Sequence, residues 1–204
     1  MRSTNIRARL CLLAILATAA AAPMREAHAQ PPAAGAIDAV VVHPFIRAYY
    51  TCGEHYEGQL KYAFDALGSD CFIVENGRTY RTTGETNEDY YIWGHPVLAP
   101  FDAVVESVTI NPVINRPGEM GKPPASWILF RRADGVKVMY AHLDGITVAK
   151  GDTVAAGQPV AVVSNNGVSR GPHVHIGAVD AAGRPLQIRW DLRAMAALRA
   201  PPEG

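Results

Sequence analysis

Apolar and polar residues alternate along the second half of this chain in short bursts. Val97-Leu98-Ala99 leads into Ala103 to Val108. Ser126 to Arg131, Val136 to His142, Thr153-Val154, Pro159 to Ser164 and His173 to Val179 follow. Alternation over so few residues predicts half-buried β-strands, whose successive side chains face opposite ways. Turn signals separate the bursts at Ala133-Asp134-Gly135, Lys150-Gly151-Asp152, Ala156-Gly157-Gln158 and Asn165-Asn166-Gly167. Ala133-Asp134-Gly135 suits a hairpin. Many short strands at near-regular spacing predict a mainly β fold, an antiparallel sandwich or barrel-like domain.

Upstream the pattern is thinner. Ala39 to Val42 is β-prone, and Gln59 to Leu67 reads as a strand or a turn of helix, because so short a run shows no decisive period. Leu192 to Leu198 predicts a short C-terminal helix before a Pro-containing tail. Asn111 to Ala125 holds four prolines and two glycines and reads as a long loop of the kind that often carries function.

The N-terminus has another character. Arg2, Arg7 and Arg9 precede an apolar run from Leu10 to Ala22, and Ala27-His28-Ala29 offers an A-x-A site. This predicts a signal peptide over residues 1–29, with cleavage near Ala29 and an exported, periplasmic or extracellular, product. The apolar run is too short to span a bilayer, and no later run in the mature chain is longer. Residues 30–37, rich in Pro, Ala and Gly, read as a flexible lead-in.

Charge excludes some partners. Taking four Arg from 19 basic residues and one Glu from 19 acidic residues leaves 15 and 18, a formal charge of −3. So mild a balance gives no electrostatic reason to expect nucleic acid or anionic lipid. A monomer is the expected state. Cys52 and Cys71 survive processing, and in an exported chain an even pair favours a disulfide.

The chemistry concentrates late in the chain. In Gly171-Pro172-His173-Val174-His175-Ile176 two histidines stand two residues apart on a predicted strand, so both imidazoles face one space. Neutral imidazole is the commonest zinc ligand and the commonest general base. His142 ends an earlier predicted strand, in Tyr140-Ala141-His142-Leu143.

From about Gly94 to Val179 the chain resembles the lysostaphin/LytM-type zinc metalloendopeptidases, most of which cleave peptide bonds in peptidoglycan. Gly94-His95-Pro96-Val97-Leu98-Ala99-Pro100 looks like the family's opening strand, and the spacing from His142 to the His-x-His pair is similar. The resemblance implies a domain over 51–190 with a substrate groove, preceded by an N-terminal extension over 30–50 and followed by the helix and tail over 191–204. It implies Zn2+ on His175, with His173 and His142 beside the metal as catalytic groups. Two further ligands are implied, a His and an Asp. The compact His-x-x-x-Asp form is not present, since Lys61 stands four residues before Asp65. Relatives with a Gln-x-x-Tyr-Ala-x-Asp segment resemble Gln59 to Asp65 more closely, and nominate Asp65 and His55. His43 and Asp89 are the reserves, and His95 reads as structural or exposed.

The implied partner is a peptidoglycan cross-link or stem peptide, or another peptide. Two other readings stand beside this one. A non-catalytic member of the same fold would act as a wall-binding or hydrolase-activating module. A biotinyl/lipoyl-like carrier is suggested by Val148 to Val160, whose one lysine, Lys150, lies beside Gly151-Asp152 at the hairpin's start.

Overall fold

The computed structural model of the chain describes residues 37–56, 64 and 66–199. The expected signal peptide and most of Gln59 to Leu67 lie outside the described residues. In chain order the strands are β1 (Ala39–Val42), β2 (Thr51–Glu54), β3 (Ser69–Phe72), β4 (Pro96–Leu98), β5 (Ala103–Thr109) and β6 (Trp127–Arg131). Then come β7 (Lys137–Ala141), β8 (Leu143–Asp144), β9 (Thr153–Val154), β10 (Pro159–Val163), β11 (Val174–Val179) and β12 (Gln187–Trp190). Helix α1 (Leu192–Arg199) closes the described chain. The fold is mainly β, as the alternation predicts.

Seven strands form one sheet in the order β2-β3-β11-β7-β6-β5-β9, with every pairing antiparallel. A three-stranded sheet runs β4-β10-β8, also antiparallel. Strands β1 and β12 pair in parallel as a separate ribbon. The inward faces of the sheets share one apolar cluster, with Ile128, Phe130, Val138, Tyr140, Val174 and Ile176 fully buried in it. Burying a Val or Ile side chain contributes about 1.5–3 kcal/mol, so β11 is anchored by its own apolar half. That leaves His175, one step out of phase, on the opposite face.

Strands β2, β3 and β12 were not evident from periodicity. Thr-Cys-Gly-Glu and Ser-Asp-Cys-Phe hold too few apolar residues to show a period. Tertiary pairing specifies them instead, since β3 hydrogen-bonds β11 on one side and β2 on the other.

No helix among the described residues is long and apolar enough to cross a membrane.

Candidate metal centre and active site

The register between β3 and β11 builds the centre. Val174 lies opposite Cys71, His175 opposite Asp70 and Ile176 opposite Ser69. On the other edge of β3, Cys52 lies opposite Cys71 and Gly53 opposite Asp70. A disulfide joins Cys52 to Cys71 and ties β2 to β3 on the face away from Asp70. The hydrogen bond from His55 N to Gly68 O, 2.8 Å, extends the β2–β3 pairing one step and sets His55 over Asp70. Gly68 also lets the start of β3 pass close to β11, because a Cβ there would stand 2.7 Å from the Ile176 carbonyl oxygen.

His55, Asp70 and His175 thereby offer two imidazole nitrogens and a carboxylate oxygen that all lie within 4.8 Å of one another. His175 Nδ1 is 2.9 Å from Asp70 Oδ1, and His55 Nε2 is 3.5 Å from Asp70 Oδ2. Ligand atoms around a tetrahedral zinc stand about 3.4 Å apart, given bonds of about 2.1 Å. The donor set and its spacing therefore fit a divalent metal of the zinc type, and leave a coordination position to spare. Burial pushes the Asp70 carboxyl up, but the hydrogen bonds and charge of His173 and His175 outweigh it, and the group is held well below the usual carboxylate range. A permanently ionised carboxylate is what a cation site requires.

Two more imidazoles flank this triad. The His173 ring stacks on Phe72 at 5.2 Å and sits 4.4 Å from the His142 ring, centroid to centroid. Its Nε2 is 3.5 Å from Asp70 Oδ1, while its Nδ1 meets the Gly171 carbonyl at 2.9 Å. His142 Nδ1 meets the Asn166 carbonyl at 2.7 Å. A carbonyl only accepts, so each Nδ1 carries a proton; Nε2 of a neutral His142 is then bare, while His173 Nε2 faces the Asp70 carboxylate. Burial is the main cause that lowers the His142 pKa, to about 3, with the neighbouring His173 adding to it.

His142 stands where the chain leaves the seven-stranded sheet at β7 and enters the three-stranded sheet at β8. Its φ of 63° is left-handed, a conformation that costs a non-glycine residue about 1–2 kcal/mol. The cost is offset by a closed polar network. Asn166, fully buried, accepts from Ser126 N at 2.7 Å and donates to Leu143 O at 2.7 Å, and its carbonyl fixes His142. Backbone strain of this kind concentrates at functional sites.

Residues 89–187 match the family model described as peptidase family M23. Over that stretch the chain is similar to peptidase family M23. A metalloprotease of Haemophilus influenzae is 34% identical over 82 residues, covering 40% of this chain and 15% of that protein. The DD-carboxypeptidase/endopeptidase Mpg of Neisseria meningitidis is 35% identical over 82 residues, covering 40% of this chain and 16% of its own length. The matched stretch is thus about a sixth of these curated relatives. Among solved structures, the catalytic domain of the prophage-encoded M23 protein EnpA from Enterococcus faecalis superposes with a TM-score of 0.47 at 22% identity, over 75% of this chain and 95% of that one. The likeness to this family rests on the sequence match over residues 89–187.

The M23 match contains His142, His173 and His175, while His55 and Asp70 lie upstream of it. The structure brings His55, His142, His173 and His175 together. Asp65 lies outside the described residues. The carboxylate found at the centre is Asp70, which sequence reasoning missed. Its signal is the phase of the strand: Ser69, Cys71 and Ile73 are buried, so Asp70, Phe72 and Val74 share the other face. Pairing Cys52 with Cys71 would have placed Asp70 beside that bridge. The reserves are used elsewhere. His43 lies against Gly157, and Asp89 accepts from the backbone N–H groups of Thr82 and Gly84 at 2.9 and 2.5 Å. His95, next to Pro96, is half-buried, and burial lowers its pKa.

Proposed function

We propose that the protein is an exported zinc metalloendopeptidase that hydrolyses peptide bonds of peptidoglycan, in cross-links or stem peptides. The observation that carries this reading is the meeting of His55, Asp70 and His175 within 4.8 Å, with His142 and His173 alongside. His55, Asp70 and His175 would hold the metal. When bound, zinc supplies a Lewis acid that acidifies water and polarises a carbonyl.

His142 and His173 supply the proton transfers. With its proton held on Nδ1 by the Asn166 carbonyl, His142 offers a bare Nε2 that accepts the proton a water loses on attack. The rings stand 4.4 Å apart, and the neighbouring His173 lowers the basicity of His142. The proton taken from water then passes to the leaving amine. Asn166 positions His142, and Gly171 with Phe72 positions His173. The non-catalytic reading loses support because neither flanking imidazole is missing. The carrier reading loses support because Lys150 sits in the β5-side turn of the M23-like stretch.

The test is digestion of purified peptidoglycan by the zinc-loaded protein, followed by mass spectrometry. The expected products carry a new amine and a new carboxylate, and their release stops with a chelator. Products that appear equally in chelator, or no products under any metal loading, contradict the reading.

A further inference from the structure

A second cavity, of about 390 Å³, lies at the far end of β3 from the metal centre. Its walls come from three places. Tyr49 belongs to the segment after β1, Val74 and Glu75 continue β3, and Arg81, Tyr91 and His95 come from the loop before β4. The alternation along β3 connects the two sites. Asp70, Phe72 and Val74 share one face, Phe72 stacks on the catalytic His173, and Val74 is 43% exposed at the cavity. At about 3.3 Å per residue the separation from Asp70 to Val74 is about 13 Å, the reach of some four residues of extended peptide.

One wall of the cavity carries an exposed cation, Arg81, held in place by backbone carbonyls. Arg81 Nη1 donates to the carbonyls of Glu88, Asp89 and Tyr90 at 3.1, 3.4 and 3.4 Å. Its guanidinium lies over the Tyr91 ring at 5.0 Å. Nε and Nη2 form no hydrogen bond among the described residues, so one edge of the guanidinium is unused. Two adjacent N–H donors in a fixed plane match a carboxylate in a bidentate pair. Tyr49, 76% exposed, is held by Arg199 of α1, whose guanidinium lies 3.8 Å from its ring centre. Ala48, Ile73 and Val74 make one part of the wall apolar and suited to small side chains, and Glu75 and His95 make the rest polar.

We propose that this cavity is a substrate subsite that takes a free carboxylate on the peptide, about four residues from the bond cut, by pairing it with Arg81. The subsite rests on the peptidase reading, and it makes specificity depend on the charge state of the peptide end.

The test uses the full chain and two acetylated Ala-Ala probes, one with a free and one with an amidated C-terminus. NMR titration of the metal-free protein reads the Arg81 Nε–H and Tyr91 ring signals without any cleavage. The acid is expected to bind about tenfold more tightly than the amide, as an added charge-assisted hydrogen bond implies. Arg81→Lys is expected to lose most of that preference. Equal binding of acid and amide by the wild-type protein, which needs no variant to fold, overturns the proposal. With zinc and a longer peptide pair, amidation is expected to raise KM with kcat unchanged. A change confined to kcat also overturns it. A protein that discriminates the probes but cleaves no peptide would refute the peptidase reading while leaving the carboxylate pocket.

Discussion

Replacing Asp70 by Asn tests the centre at its middle. The carboxylate stands within 3.5 Å of three imidazoles: His175 Nδ1 at 2.9 Å, His55 Nε2 at 3.5 Å and His173 Nε2 at 3.5 Å. The amide keeps the size and removes the charge. Loss of a group that merely orients a ligand costs about 10–100-fold in metal affinity, so loss of a direct ligand should exceed about 100-fold, or about 2.7 kcal/mol. Metal-free stability should fall by only about 1 kcal/mol, because the carboxylate is 37% exposed and solvent screens it. The assay is zinc competition against a chromophoric chelator, with circular dichroism as the control for folding. Asp65→Asn is the paired variant, since resemblance nominates Asp65 for the same role. The expected result is a large loss for Asp70→Asn and a change below about threefold for Asp65→Asn. Wild-type affinity in Asp70→Asn, with the loss transferred to Asp65→Asn, refutes the assignment of Asp70.

The flanking imidazoles should separate chemistry from binding. His173→Ala and His142→Asn are expected to lower kcat by about 10²–10⁴-fold while zinc content stays at the wild-type level. Asn is chosen at 142 because it tolerates the left-handed backbone. The double variant Cys52→Ala, Cys71→Ala opens a loop of sequence separation 19 and should cost about 3 kcal/mol by urea denaturation. It should also weaken zinc binding, since the bridge aligns the strands that carry His55 and Asp70. The metal-free protein should lose stability as pH falls. Buried His142 titrates near 3 in the fold and near 6.5 when unfolded, so between these values the unfolded chain holds the extra proton. The His142 contribution is whole above about pH 6.5 and is lost towards pH 3. Urea midpoints should fall from pH 7 to pH 4, and less steeply in His142→Asn. An equal slope in the two proteins would remove His142 as the cause.

The two halves of the site differ in how plainly the sequence reveals them. His173, Val174 and His175 announce themselves because a strand buried in the middle of a sheet needs its apolar half, and any polar residue in the other phase stands out. His142 is visible by its place at a strand end. The ligand half upstream is quiet. His55 sits just past a strand of Thr, Cys, Gly and Glu, and Asp70 lies in Ser-Asp-Cys-Phe, where no apolar period exists to phase it. Those residues acquire their positions from pairing with β11 and from the Cys52–Cys71 bridge, both contacts between segments far apart in sequence. Resemblance nominates His55 and Asp65; His55 meets Asp70 at the centre, and Asp65 lies outside the described residues. The β-sheets follow the same division: the alternating strands β5, β6, β7, β10 and β11 are legible, and the short β2, β3, β8 and β12 are specified only by their neighbours.

The most direct test of the account is X-ray absorption at the zinc edge on the zinc-loaded full chain. The account predicts a first shell of nitrogen and oxygen at about 2.0–2.1 Å with two imidazoles, and no sulfur at about 2.3 Å. It also predicts that one imidazole disappears in His55→Ala and in His175→Ala. A first shell that contains sulfur, or that keeps both imidazoles in either variant, would contradict a centre built from His55, Asp70 and His175.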